Sequence, residues 1–530
     1  MMSGSKGASA PFGIHDIVFE LARKHYIMYP KMARSAFDPD IMVWAARQKA
    51  AKQPPACDIW WSSLLETTIY RMSEKHNGLL SGGAWNELEK KSCTPIIKAV
   101  WRMEMQLSQV RKAFKNDDHR ELLKDIYVDE ALLEYQKDRY IKALDKFEEI
   151  YGEQDIEIYS APGRTEVCGN HTDHQHGAVL AAAVNMDVIA IVSKTDNNVI
   201  KVLSGTYDIK PVSTEDLKNK KEEEGTSEAL IRGVAAKLSE DGYRVGGFKA
   251  YMTSDVIVGA GLSSSAAFEV VVGTILSGLY NDMKLSPIYI AQAAQYAENK
   301  YFGKPCGLMD QMASSVGNLV NIDFKDTKAP VVRKLEVDLS SFGHSLCIVD
   351  TKGDHSDLTP EYAAVPEEMR KVAAFFGCEY LREVDVHEFY SRIAEVRRKV
   401  KSDRAVLRAI HFFDDHERVG KQVEALENGD FNEFKRLITE SGNSSYKYLQ
   451  NVFAVTDVHN QSVSIGLALT ERYIGERGAY RVHGGGFAGT IQVFLPDEDV
   501  EEYKKQIEKC FGESSCHVLR IRKYGGMKVL

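Results

Sequence analysis

One stretch constrains this chain more than any other: Val258-Gly259-Ala260-Gly261-Leu262-Ser263-Ser264-Ser265-Ala266-Ala267, continued by an apolar run to Leu279. A glycine turn, three serines and a helix-forming segment, in that order, read as a tight loop that opens a helix. The glycines let the backbone approach a bulky anion. The first-turn N–H groups lack intrahelical partners and, with the helix dipole behind them, attract phosphate oxygens. The serine hydroxyls add donors or a metal ligand. Alone, a glycine-serine turn is more often only a turn, so the reading depends on what else the chain carries.

A chain of 530 residues is long enough for two or three domains with sizeable cores. Hydrophobic residues make up 44% and charged residues 27%, an ordinary soluble globular balance. The net charge of −9 argues against nucleic acid or an anionic membrane surface as partner. The eight cysteines include no Cys-x-x-Cys pair, so neither a zinc site nor a dithiol motif is supported. Their scatter reads as reduced thiols in a cytoplasmic protein. No signal-peptide core follows the first lysine. The longest apolar stretch, Ala178 to Val192, is broken by Asn185 and Asp187 and is too short and too polar to span a bilayer.

Residues 1–118 read as a separate helical extension. They hold all five tryptophans, at 44, 60, 61, 85 and 101, and end in the polar run Lys115-Asn116-Asp117-Asp118. Their expected place is against the main body or another subunit, a route to self-association. From Glu121 to Tyr151 the spacing predicts one or two amphipathic helices. Strands are predicted at 156–159, 188–193, 199–203, 247–253, 345–349, 490–495 and 516–522. Helices are predicted at 227–240, 266–279, 287–301, 367–376, 384–400, 405–428, 460–474 and 499–510. The mixture is α+β rather than a regular βαβ array.

Four segments carry candidate chemistry. The first runs from Ala161 through Gly163-Arg164 to Gly169-Asn170-His171-Thr172-Asp173. The second is the loop at 258–267. The third holds Glu298 and then Cys306-Gly307-Leu308-Met309-Asp310-Gln311. The fourth is Gly484-Gly485-Gly486-Phe487-Ala488-Gly489. Two simpler readings fail. His171, His174 and His176 lack the further ligands a metal site needs. The last glycine run leads into a strand-like segment, whereas a dinucleotide fingerprint must open a helix.

These four segments resemble, in order, the motifs of the GHMP kinases, most closely those of the galactokinase family, over residues 120–530. The resemblance implies a two-lobed fold. An N-terminal α/β lobe, 119–340, would carry the ATP loop and sugar site. A C-terminal lobe of antiparallel sheet and helices would span 341–530. It implies that ATP and a magnesium ion are used and that the acceptor is the anomeric hydroxyl of galactose. ATP would lie along Gly259, Gly261, Leu262, Ser263, Ser264, Ser265 and Ala266, with Ser265 and Glu298 as metal ligands. Asp310 would be the catalytic carboxylate and Arg164 its partner. Arg164, Asn170, His171, Asp173, Gly307, Asp310 and Tyr362 would line the sugar pocket.

Asn170 departs from the family pattern, which has glutamate there on the sugar's 6-hydroxyl side. A kinase for a related sugar, such as an amino sugar, is therefore one alternative. A non-catalytic sensor of sugar and ATP is another, against which the complete serine run, Asp310 and Arg164 argue. A guanidinium beside Asp310 lowers its pKa and weakens it as a base. The loose transition state of phosphoryl transfer asks little of a base, so orientation can matter more.

Overall fold

The computed structural model describes residues 105–257, 261–353 and 358–530. The tryptophans and Gly259 lie outside these residues. The elements run β1 (Met105–Gln106), α1 (Leu107–Lys115), α2 (Arg120–Tyr127), α3 (Leu133–Tyr151), β2 (Asp155–Cys168), β3 (Ala178–Lys194), β4 (Val199–Ser204), β5 (Tyr207–Ser213), α4 (Ser227–Glu240), β6 (Phe248–Ser254), α5 (Ser264–Asn281), α6 (Pro287–Ala297), α7 (Met309–Val316), β7 (Leu319–Asp323), β8 (Val331–Leu335) and β9 (His344–Asp350). They continue α8 (Thr359–Phe375), α9 (Val386–Ser391), α10 (Ile393–Val400), α11 (Asp403–Glu427), α12 (Phe431–Ser444), α13 (Ser462–Ile474), β10 (Ala479–His483), β11 (Thr490–Pro496), α14 (Val500–Phe511), β12 (Cys516–Leu519) and β13 (Met527–Lys528).

The long apolar stretch at 178–192 is the central strand of the larger sheet. β3 pairs antiparallel with β2 along its length, with β7 through Ala178–Ala182 and with β6 through Val188–Lys194. Successive side chains of a strand point to opposite faces, and here both faces are covered. Ile158, Ile189 and Ile191 pack under α1, α2 and α3 with Phe114, Leu123 and Leu144. Tyr159, Ala190 and Val192 face the other way, toward Val234, Val270 and Leu276 of α4 and α5. Two covered faces make the strand apolar at nearly every position, which is why only half of it shows an ordinary strand pattern.

Residues 105–118, read above as part of the extension, are built into this unit. Met105 and Gln106 pair with Ile156 and Asp155, and Leu107, Val110 and Phe114 are core residues. The polar run at 115–118 is the turn between α1 and α2 rather than a linker.

The smaller sheet is antiparallel, ordered β10-β11-β9-β12. One face packs on α13 and α14. Leu346, Ile348 and Phe494 on the other join the core shared with the first sheet. Helices α8 to α11 form a further cluster around Phe389, Phe412 and Met369. The chain end crosses back: β13 pairs with β2. There Asp187, fully buried, meets Arg522 at 2.7 Å and Arg139 at 2.6 Å, so the last residues are ionically tied to the centre of the first sheet.

Candidate functional site

The serine loop opens α5 as the sequence suggests. Gly261 (φ 67°) and Ser263 (φ 55°) are both left-handed, a conformation that turns the chain sharply into the helix. A Cβ on Gly261 would come within 3.0 Å of His483 Nδ1. Ser263 stands at the helix N-cap but makes no side-chain capping bond. The first-turn N–H groups of this 18-residue helix thus have no side-chain cap, the state in which a helix start holds an anion. Ser263 spends its hydroxyl differently from expectation: Oγ donates to Asp310 Oδ2 at 2.7 Å.

Strand β2 brings Arg164 to this loop. A break in register between Pro162 and Arg164 turns the strand there, and the Arg164 N–H bonds Leu262 O at 3.0 Å. The guanidinium is buried. Nε and Nη2 donate to the two oxygens of Asp310 at 2.7 and 2.6 Å, and Nη1 donates to Gly261 O. Asp310 sits in the first turn of α7, where the helix dipole favours a negative charge. Desolvation pushes its carboxyl upward, but the Arg164 guanidinium and the Ser263 hydroxyl outweigh it and hold the group below the usual aspartate value. It is an ionised acceptor at neutral pH.

Beside the loop, Glu298 lies buried at the end of α6. Ser265 Oγ is 3.5 Å from Glu298 Oε1, Lys304 Nζ is 3.3 Å from the same oxygen, and Gln311 Nε2 donates to Oε2 at 2.7 Å. A hydroxyl and a carboxylate oxygen at that spacing suit a hard divalent cation, which takes few protein oxygens. Glu269 Oε1 and Gln311 Oε1, both buried nearby, have no hydrogen-bond partner. Burial first, and Glu298 second, push the Glu269 carboxyl well above its ordinary value. The residues therefore fit the cation that the resemblance implies.

The turn after β2 forms the opposite wall. His171 Nε2 donates to Gly485 O at 2.9 Å, which leaves Nδ1 an acceptor. Burial, then the neighbouring His174, lower the His171 imidazole to about 4, so it is neutral at pH 7. Asp173 faces Gly307 so closely that a Cβ there would come within 2.2 Å of its Oδ2. Tyr362, on α8, donates its hydroxyl to Gly486 O at 2.9 Å, and a Cβ on Gly485 would meet its ring at 2.5 Å. Among the described residues no cluster of three or more His, Cys, Asp or Glu is arranged to hold a metal ion. The glycines at 484–486 form the turn between β10 and β11, with a strand and no helix after them.

Asn170 is the correction. It was expected on the sugar, yet its side chain is 0% exposed. Its amide donates to Glu166 Oε1 at 2.9 Å and Gly484 O at 2.7 Å, and its oxygen accepts from Asn451 at 2.7 Å. The side chain is turned into the protein because the interior offers it a full set of partners.

Sequence reasoning missed the residues that hold this turn. Asp415 of α11 accepts the N–H groups of Gly169 (3.2 Å) and Asn170 (3.0 Å), and His411 bonds Asn170 O at 2.9 Å. Arg481 of β10 reaches Glu166 at 2.9 Å. His411, Asp415 and Arg481 are wholly buried polar residues far away in the chain. Only Glu166, inside the first motif, carried a local signal.

An uncapped helix start, an Arg–Asp pair at its mouth and a polar wall carrying His171 and Asp173 are the parts a small-molecule phosphotransferase of the GHMP kinase class requires. Residues 229–318 match the GHMP kinases N terminal domain, and residues 145–194 match the galactokinase galactose-binding signature. The galactokinase of Actinobacillus pleuropneumoniae serotype 3 is 33% identical over 368 residues, 69% of this chain and 92% of that one. That of Streptomyces coelicolor is 31% identical over 380 residues, 71% and 94% of the two chains. The chain belongs to the galactokinase family. The fold agrees. The structure of Lactococcus lactis galactokinase complexed with galactose superposes with a TM-score of 0.63 at 21% identity, over 73% of this chain and 100% of that one. A mevalonate kinase superposes at 0.50 and 15% identity, over 69% and 99%.

Proposed function

We propose that the chain transfers the γ-phosphoryl group of ATP to the anomeric hydroxyl of α-D-galactose, giving galactose 1-phosphate and ADP. The observation that carries this is the bidentate Arg164–Asp310 pair beside the open start of α5, with the Asp173 and His171 wall next to it. The family membership and the galactose bound by the Lactococcus relative support it.

In this reading the α5 N–H groups, with Ser264 and Ser265, cradle the triphosphate. Asp310 accepts a hydrogen bond from the attacking hydroxyl and aims its oxygen at the γ-phosphorus. Arg164 keeps Asp310 ionised and correctly turned, and balances charge as it spreads over the transferred group. The depressed carboxyl makes Asp310 a weak base, so its main work is orientation, with the proton leaving late. Asp173 and His171 pair the other sugar hydroxyls, which would be costly to bury unpaired. A magnesium ion held by Ser265 and Glu298 would neutralise phosphate charge.

The test is ADP release by the full chain with ATP, magnesium and a panel of hexoses. Galactose should give the highest kcat/KM. A higher value with an amino sugar would move the substrate assignment, and no release with any hexose would favour a sugar sensor.

A further inference from the structure

The sugar pocket hangs on three consecutive carbonyls. Gly484 O accepts from Asn170, Gly485 O from His171 (2.9 Å) and Asn451 (3.1 Å), and Gly486 O from Tyr362. Two of those donors, His171 and Tyr362, are assigned to the sugar above, so the turn at 484–486 sets where both of them sit. Asn170 holds the first carbonyl, and what holds Asn170 is Glu166.

Glu166 is 4% exposed and lies where the register of β2 breaks, between Glu166 and Cys168, which turns its side chain into the interior. Its Oε1 receives both Asn170 Nδ2 and Arg481 Nη2 at 2.9 Å. Arg481 is wholly buried and has this carboxylate as its ion-pair partner. The chain of contacts therefore runs from β10 through Glu166 to Asn170, then to Gly484 and Asn451. A glutamate at 170 has no side-chain N–H to give Gly484 O and would set a second carboxylate against Glu166. The position that departs from the family motif thus has a carboxylate four residues away that takes up its amide.

We propose that Glu166 is a positioning residue for the sugar pocket, acting with Asn170 as one unit that holds the 484–486 turn. The carboxylate the motif lacks at 170 is supplied at 166, behind the pocket wall rather than in it. This rests on the sugar-kinase reading above.

The test is a double-mutant cycle in the full chain: Glu166→Gln, Asn170→Glu and both together, read as KM for sugar, KM for ATP and kcat. Each single change should raise the sugar KM about tenfold or more with the ATP KM within about twofold. The double variant should recover at least about tenfold of the loss caused by Asn170→Glu, since sites that share a hydrogen bond are not additive. Strictly additive losses overturn the proposal, as does an ATP KM that moves with the sugar KM. If Asn170→Glu does not fold, Glu166→Asp answers the question. It keeps the charge for Arg481 but retracts it from Asn170, and should raise the sugar KM about threefold; an unchanged KM sinks the idea. The parent chain is assayed first with the hexose panel. Turnover of another hexose in place of galactose refutes the substrate assignment alone, and the cycle is then run with that sugar. If no hexose is turned over or shifts the parent's Tm, both readings fall.

Discussion

Arg164 and Asp310, 146 residues apart, meet through two parallel hydrogen bonds of 2.7 and 2.6 Å. A planar guanidinium set edge to edge on a carboxylate fixes direction as well as charge. Asp310→Ala should lower kcat about a hundredfold or more while ATP binds nearly as before. Asp310→Asn should fall in the same range, because the amide presents an N–H toward Arg164. The check is steady-state kinetics beside nucleotide titration, and near-normal kcat in both variants would remove Asp310 from the chemistry.

Glu298→Gln should raise the magnesium concentration needed for half-maximal rate by about tenfold or more, with the galactose dissociation constant unchanged. Equilibrium binding of manganese to the protein with nucleotide gives a readout separate from turnover.

Gly307→Ala pushes a methyl against Asp173 Oδ2, within 2.2 Å on the present backbone. The carboxylate must swing out of its present place, which the proposed function assigns to sugar binding. The galactose KM should rise about tenfold to a hundredfold while the ATP KM holds, since small displacements of positioning groups are expensive. Equal rises in both would place Gly307 elsewhere.

Acid should weaken the protein through two half-buried histidines. Burial first, and a neighbouring histidine or arginine second, hold His171 and His416 down to about 4, from an ordinary value of 6.5. Unfolded, they bind protons more readily than folded. Their contribution is whole above about 6.5 and is lost as pH falls toward 4. The Asp310 carboxyl is depressed too, so its share is present above 3.8 and disappears only as pH falls further. Tm should therefore drop between pH 6.5 and 4, while the galactose KM stays flat from pH 6 to 8 because His171 is neutral throughout. A Tm that rises over the acid range contradicts this.

Asp187→Ala strips the shared partner from Arg139 and Arg522, leaving the wholly buried Arg522 guanidinium without its carboxylate and Arg139 with Asp255 alone, at 3.0 Å. The expected destabilisation is about 3–5 kcal/mol, measured by urea unfolding. Because the cluster joins α3, β3 and the chain end, the loss should be global rather than confined to the C-terminus.

Much of this was legible residue by residue. The helix at 227–240 falls where its spacing put it, and 287–301 divides into α6 and a wider turn that carries Glu298. Strand β3 was half seen, because burial on both faces removes the alternation that marks a strand. The break read at 118 was misplaced, because polar residues at a helix–helix turn look like those of a linker.

By itself the amino-acid order determined which groups could do chemistry: the serine loop, Arg164, Asp310, Asp173 and Glu298 sit in short motifs whose spacing is local. Only the tertiary structure decided how they are used. It turned Asn170 inward, gave the Ser263 hydroxyl to Asp310, and recruited His411 and Asp415 to the turn after β2 and Arg481 to Glu166 before it. Partners for a buried polar group come from whichever distant element packs against it, and neither periodicity nor motif spacing records that choice.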